Sequence, residues 1–542
     1  MLLAATALFA LPAQAADDKQ AKVDALFADW GSTATPGCSV AATQDGKLLY
    51  SRGYGMANLE YDVPNRARTK FHVASVSKQF TAASIALLVL EKKISLDDPV
   101  RKYVPELGDF GTPLLVRHLV HHTSGLRDHW EILDFSGWRY SHDLITDDDV
   151  LSVLSLQKRL GFAPGAKYQY SNSNYLLMAK IVERVSGQSL REFTTERLFK
   201  PLGMNDTHFR DDFTEIQRDF AYGYGREAGV FKTSVTNFNT VGATSLLTTA
   251  EDLMRWQENL RSGRIGGQAF IAQMLERDRL NDGSLNDYAF GVVHGEYRGL
   301  RTVGHSGSDA GYLSQLIGFP EQRFDVAVLC NVNEVDTGKL ARGIATIYLG
   351  ELMKPEPADK KAGARELTLS ARQLQDRIGI YLSNRATRAL IVETRDGQLH
   401  ATAGEYGLDL IARSPHRFET RKSGSTLEFS REAGSSQRVT TQFGDETQVY
   451  ERVPAFEPTA GTLQQYAGRY ESDEVDAPFY LWVQDGELQL RSIKLRQRLR
   501  AITQEIFIGD WMSIRFTRDQ GRITGFEFGQ GDDARYVFVR RP

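Results

Sequence analysis

The stretch His72–Phe80, "HVASVSKQF", places two serines and a lysine directly before the apolar run "TAASIALLVL". A serine hydroxyl is a poor nucleophile until another group accepts its proton. With a helix beginning near Ser75, Ser75 and Lys78 stand at i and i+3 on one face, within reach of each other, while Ser77 points elsewhere. Backbone N–H groups at a helix N-terminus favour developing negative charge. A lysine serves as a base only where desolvation and neighbouring cations lower its pKa from about 10.4, and the apolar run behind Lys78 supplies a dry wall. Ser75 is therefore the candidate nucleophile and Lys78 its partner.

The Ser-x-x-Lys spacing recurs at Ser155 and Lys158, inside the charged amphipathic stretch "DDDVLSVLSLQKRL", which reads as a helix face with no strand-to-helix junction. Two further elements favour the first copy. "YQYSNSNYLL" contains the only Tyr-x-Asn in the chain, Tyr170-Ser171-Asn172, after the turn "APGAKY" and before a helix. Tyr170 can share the proton with Lys78, and Asn172 can donate to a substrate amide or hold Lys78 in place. "VGHSGSDAGYLSQLIGF" reads as a turn feeding a strand and holds the only His-x-Gly, His305-Ser306-Gly307; a glycine there lets a substrate approach the strand edge closely.

The chain around these motifs has 542 residues, 41% hydrophobic and 25% charged, enough for more than one core. A formal charge of −4, a pI near 6.3 and the lack of any run of five basic residues argue against a nucleic-acid partner. The N-terminal "MLLAATALFALPAQAADDKQ" has no Lys or Arg after Met1. Its apolar stretch ends in the small-x-small triplet Ala13-Gln14-Ala15, followed by charge. Residues 1–16 read as a secretory signal cut near Ala15 or Ala16, which implies a periplasmic or secreted protein. No later segment supplies the roughly 20 apolar residues of a spanning helix, so no stable membrane insertion is expected after signal removal. The two cysteines, Cys38 and Cys330, lie in strand-like runs far apart and read as independent small core residues, able to pair if their strands are neighbours.

Strand-like runs flank Asp45-Gly46, a hairpin signal, and strands return at "YAFGVVHG", "GYLSQLIGFP" and "DVAVLCNV", with helical patterns between. Strands at both ends with helices between predict one α+β domain over residues 17–352 whose ends meet in one antiparallel sheet flanked by helices. "MKPEPADKKAGAREL" reads as a linker over 353–367. Beyond it, Leu374, Gly379, Tyr381, Asp396, Gly397 and Phe418 recur 89 positions later as Leu463, Gly468, Tyr470, Asp485, Gly486 and Phe507. This duplication predicts two small antiparallel β-barrels, 368–456 and 457–542, with no nucleophile-and-base cluster in either.

The phrases "PGCSVAATQDGKLLYSRGYG", "SVSK", "LDDPVRKYVPEL", "VRHLVHHTSGL", "YSN", "SLLTTAEDLMRW" and "GHSG", in order over roughly residues 36 to 333, resemble the serine β-lactamase and penicillin-binding-protein superfamily. Within it the resemblance is to the class C β-lactamase-related group of esterases, D-peptidases and D-aminopeptidases. The paired barrels resemble those of the D-aminopeptidase branch. The resemblance implies a β-lactamase-like fold with an additional all-helical region and no cofactor or metal. It implies Ser75 as the acylated nucleophile, Lys78 and Tyr170 as the groups handling its proton, Asn172 orienting substrate, and an oxyanion hole from the N–H groups of Ser75 and of Ser308, just after Gly307. His305 stands where β-lactamases carry the lysine of Lys-Thr-Gly. A histidine with the ordinary pKa of about 6.5 is mostly neutral at pH 7 and holds a substrate carboxylate less well. The expectation is an exported serine hydrolase acting on an ester, amide or D-peptide, D-aminopeptidase-like or esterase-like rather than a dedicated β-lactamase. Its partner is a small-molecule or peptide substrate, and a homodimer is compatible with the sequence.

Three other readings compete. "GHSGS" nearly spells the G-x-S-x-G elbow with Ser306 as nucleophile, but position 308 is serine and no alternating parallel β/α pattern leads up to it. His118 and His122, at i and i+4 with His121 between, suggest zinc, yet Leu119 stands where a zincin needs Glu, so the histidines read as packing or capping beside "HTSG". A secreted binding protein on a lactamase-like fold that has lost turnover is the rival from another class, and it would form no acyl-enzyme. Variable pocket walls are expected from the aromatic-rich loop between Arg127 and Asp143.

Overall fold

The computed structural model describes residues 11–140, 142–356, 366–383, 389–403, 406–420, 425–430, 437–443, 446–509, 512–529 and 535–542. The front of the expected signal segment and most of the expected linker lie outside the described residues. Two compact units emerge: Met1–Trp130 with Arg139–Glu356, and Glu131–Trp138 with Pro357–Pro542.

The first unit is built on a six-stranded antiparallel sheet. β1 (Cys38–Gln44) and β2 (Lys47–Tyr54) are joined by Asp45-Gly46 at φ 52° and 74°, the positive pair that a tight two-residue hairpin requires. β3 (Val293–Tyr297), β4 (Leu300–Asp309), β5 (Tyr312–Phe319) and β6 (Phe324–Cys330) follow at the far end of the unit. Their order is β3-β4-β5-β6-β1-β2, so the two ends meet where β1 pairs with β6. That register sets Cys38 opposite Cys330, and the two form a disulfide. The reading of independent core cysteines is thereby corrected: 292 residues of sequence separation are cancelled by one strand pairing.

Among the helices flanking this sheet are α1 (Leu11–Leu26) and α4 (Thr337–Leu349), whose Val23, Ala341 and Ile344 pack with Val326 and Val328 of β6. The helices that matter for chemistry are α2 (Lys78–Leu90), buried along nearly its whole length, and α3 (Asn172–Ser186), which packs on it. Gly187, at φ 73°, ends α3 in a left-handed cap, which splits the long helical pattern that continues to Phe199.

The second unit contains two closed eight-stranded barrels, from Gly379–Ser383 to Glu446–Val453 and from Gly468–Glu471 to Tyr536–Arg541. The duplication is visible atom by atom. Asp396-Gly397 and Asp485-Gly486 form the same positive-φ turn, at 50° and 76° and at 53° and 78°. Tyr381 donates to the carbonyl of Arg377 and Tyr470 to that of Tyr466, each at 2.8 Å and each four residues back. Ala389 and Ile391 of one barrel pack with Ile502 and Ile506 of the other.

Candidate active site

Ser75 sits on a single 3-10 turn, Ala74–Ser77, entered through Ala74 at φ 47° and leading straight into α2. The α-helix thus starts at Lys78, three residues later than the sequence suggests. The tighter turn does not cost the alignment, because side chains at i and i+3 of a 3-10 turn eclipse. Lys78 Nζ lies 3.1 Å from Ser75 Oγ. Ser77 faces away and accepts from the Leu246 N–H at 3.0 Å. Ser155 is likewise spent locally, donating to the Ser152 carbonyl.

The Lys78 ammonium is completely enclosed. Besides Ser75 it reaches Asn172 Oδ1 at 2.8 Å and the Ala243 carbonyl at 2.7 Å. Burial pushes its pKa down to about 7, with the negative charges of Asp128 and Asp309 working against the shift. Two of its three partners can only accept. A neutral amine has two hydrogens and one lone pair, so once deprotonated Lys78 satisfies both acceptors and turns its lone pair to the Ser75 hydroxyl.

Asn172 opens α3, and its amide orientation is set by Asp128, whose Oδ2 accepts from Asn172 N at 2.7 Å and Nδ2 at 2.9 Å. A carboxylate only accepts, so Oδ1 must face Lys78. Tyr170 donates to Ser75 Oγ at 2.8 Å, and burial raises its pKa strongly, so its proton stays on. The Tyr-Ser-Asn segment is held from behind by His122. The His122 Nδ1 accepts from Ser171 N at 3.2 Å and Asn174 Nδ2 at 3.0 Å, and its ring lies 4.3 Å from that of Tyr170. Burial keeps His122 neutral, as accepting two N–H donors demands. The neighbouring imidazoles are also engaged: His118 accepts from Leu115 N, and His121 Nδ1 meets the Tyr288 carbonyl.

His305, Ser306 and Gly307 lie within β4, not in a turn; the turn comes later, at Ala310-Gly311, where Ala310 has φ 46°. The ladder puts Ser306 opposite Gln315 in mid-sheet, which removes it from any strand-to-helix elbow. Gly307 abuts the nucleophile's turn so closely that a Cβ would lie 3.0 Å from Ser75 N and 2.4 Å from the Val73 carbonyl. His305 is buried, and desolvation with the nearby Lys78 takes its pKa down to about 4. Tyr288, whose pKa is raised well above 10, donates to His305 Nε2 at 2.9 Å, and Nδ1 faces the Ser306 carbonyl. The imidazole is therefore neutral with its proton on Nδ1.

Ser75, Tyr170, Asn172, His305, Gly307 and Ser308 all border one cleft of about 470 Å³, with Lys78 beneath its floor. Trp130 and Tyr140, from the loop between Arg127 and Asp143, join its wall. Sequence reasoning missed Asp128, Tyr288 and the Ala243 carbonyl. Each acts through a contact at long sequence separation, and only Asp128, inside the singled-out loop, carried any signal.

The fold and this cleft define a serine-and-lysine site between an α+β sheet and a helical layer. A model of the family described as Beta-lactamase matches residues 20–348, more than half of the chain, and the chain belongs to that family. Penicillin-binding protein 4* of Bacillus subtilis is 29% identical over 433 residues, covering 76% of this chain and 94% of that protein. A D-aminopeptidase of Cereibacter sphaeroides is 24% identical over 514 residues, covering 91% of this chain, barrels included, and 94% of its own length. The octameric penicillin-binding protein homologue from Pyrococcus abyssi superposes with a TM-score of 0.56 at 25% identity, over 81% of this chain and all of that one.

Proposed function

We propose that the protein is an exported serine hydrolase that works through an acyl-enzyme on Ser75, with an ester, amide or D-peptide as substrate. The observation that carries this reading is the buried Lys78 amine, whose partners leave one lone pair directed at Ser75 Oγ. In the first step the Ser75 oxygen bonds to the substrate carbonyl carbon while its proton passes to neutral Lys78. Backbone N–H groups of Ser75 and Ser308 hold the oxyanion. Tyr170 gives its proton to the departing amine or alcohol as the carbon–leaving-group bond breaks, and regains one from Lys78. Water then attacks the ester, losing a proton to Lys78, and Ser75 leaves reprotonated with release of the acid. The match to a D-aminopeptidase over nearly the whole chain supports D-amino-acid amides and peptides as the first substrates to try. Among the described residues lining the cleft there is no lysine or arginine, and His305 beside Gly307 is neutral, which weighs against substrates that need a carboxylate anchor, β-lactams among them.

The test is intact mass and nitrophenol release after rapid mixing with a p-nitrophenyl ester. A burst and an acyl adduct are expected in the wild type and in Ser77→Ala, and neither in Ser75→Ala. No adduct from that ester or from a serine-reactive phosphonate would overturn the reading in favour of a binding protein.

A further inference from the structure

We propose that Asp309 is the counter-ion for a substrate ammonium group, so that the cleft selects acyl donors with a free amine close to the scissile carbonyl; this rests on the acyl-enzyme reading above. Among the described residues lining the cleft, Asp309 is the one acidic side chain, and neither lysine nor arginine appears there. Its side chain is buried, with 5% accessible. The oxygen Oδ2 is well served: Thr244 donates to it at 2.6 Å and His72 Nε2 lies 2.8 Å away. Oδ1 is equally buried and has no hydrogen-bond partner. A buried carboxylate oxygen left unpaired is costly, and Asp309 lines the cleft, so a cationic ligand there offers the carboxylate the partner it lacks.

The position on the strand fits. Residues 305, 307 and 309 alternate onto the buried face of β4, with Ser306 and Ser308 exposed between them. Gly307 marks the point of closest approach to Ser75. The neutral His305 and the acidic Asp309 therefore flank the reacting carbonyl, each about 7 Å along the strand from Gly307. Tyr170, the proton donor to the leaving group, has its ring 6.2 Å from that of His305. The leaving group accordingly exits on the His305 side and the acyl portion extends toward Asp309. An amine on the carbon next to the carbonyl lies in that direction. The aromatic wall of Trp130, Tyr140 and Tyr168 favours a cation over an anion as well.

The experiment compares kcat/KM at pH 7 for each enantiomer of alanine p-nitroanilide with propionic acid p-nitroanilide, which has the same acyl group without the amine. The wild type is expected to favour at least one amine-bearing enantiomer by roughly tenfold to hundredfold, the range of a charge-assisted hydrogen bond. In Asp309→Asn that ratio is expected to fall to near one, with partial recovery in Asp309→Glu. A merely structural clamp on His72 and Thr244 would lower both rates together and keep the ratio. An unchanged ratio in the variant, or equal wild-type rates, overturns the inference while an acyl adduct on Ser75 leaves the reaction itself standing. Absence of that adduct from every substrate and from the p-nitrophenyl ester overturns both. The wild-type comparison needs no variant to fold.

Discussion

Replacing Asp128 by Asn takes away a negative charge that stabilises the ammonium form of Lys78, and the effect has a calculable size. The two groups are bridged by Asn172, through hydrogen bonds of 2.9 Å on one side and 2.8 Å on the other. With the amide between them, the charges stand at most about 8 Å apart. Coulomb's law at an effective dielectric of about 20 gives roughly 2 kcal/mol at that distance, or about 1.5 pKa units. Asp128 is partly exposed, so solvent trims the effect to about one unit. The sign follows from the charges: without the carboxylate the ammonium is less stable, the pKa falls, and more of Lys78 is neutral at a given pH. Since Lys78 in the wild type loses its proton near pH 7, kcat/KM for a p-nitrophenyl ester is expected to rise through pH 7 and level off above it. In Asp128→Asn the midpoint should move to about pH 6, with a lower plateau from the loosened Asn172. The measurement is kcat/KM from pH 4.5 to 9 for both proteins, corrected for spontaneous hydrolysis. A wild-type midpoint near 10, or a variant midpoint that stays put or moves upward, would refute the argument that a buried, deprotonated Lys78 is the base.

Two further outcomes are expected. Tyr170→Phe should lower kcat by about 10²- to 10⁴-fold, the usual worth of a positioned acid–base group, while leaving the pH midpoint in place because Lys78 sets it; a shifted midpoint in steady-state kinetics would assign the titration to Tyr170 instead. His305→Lys puts a cation beside Gly307, and the kcat/KM ratio of carboxylate-bearing to neutral substrates should rise; a constant ratio would remove the argument against β-lactams.

The chemistry was legible in the sequence to the extent that it is local. The Ser-x-x-Lys pair works because three residues of chain bring the two groups together in either kind of helical turn, so misjudging the helix start did not displace Lys78 from Ser75. Asp-Gly at 45–46, 396–397 and 485–486 announces its turns because few other residue pairs accept two positive φ angles. What stayed hidden depends on register and on distance in the chain. The bond between Cys38 and Cys330 becomes visible only with the pairing of β1 and β6. Tyr288 meets His305 only because the segment before β3 folds back over β4. Asp309 lies in "GSDAG", within the stretch that reads as a turn, whereas β4 continues through it.

The disulfide also closes residues 38–330 into a covalent ring. From Cys38 the backbone runs through every residue of the proposed mechanism to Cys330, and the sulfur bond returns it to its start; the barrel sequences follow after Cys330, outside the closed loop of chain. Cutting a ring once opens it without dividing it. A proteolytic nick at an exposed hairpin tip such as Ala228-Gly229 leaves two polypeptides that remain one molecule, still paired strand to strand across β1 and β6. Such a nicked form would run as a single species until a reductant released its parts, so damage during purification or storage can pass unseen on a non-reducing gel.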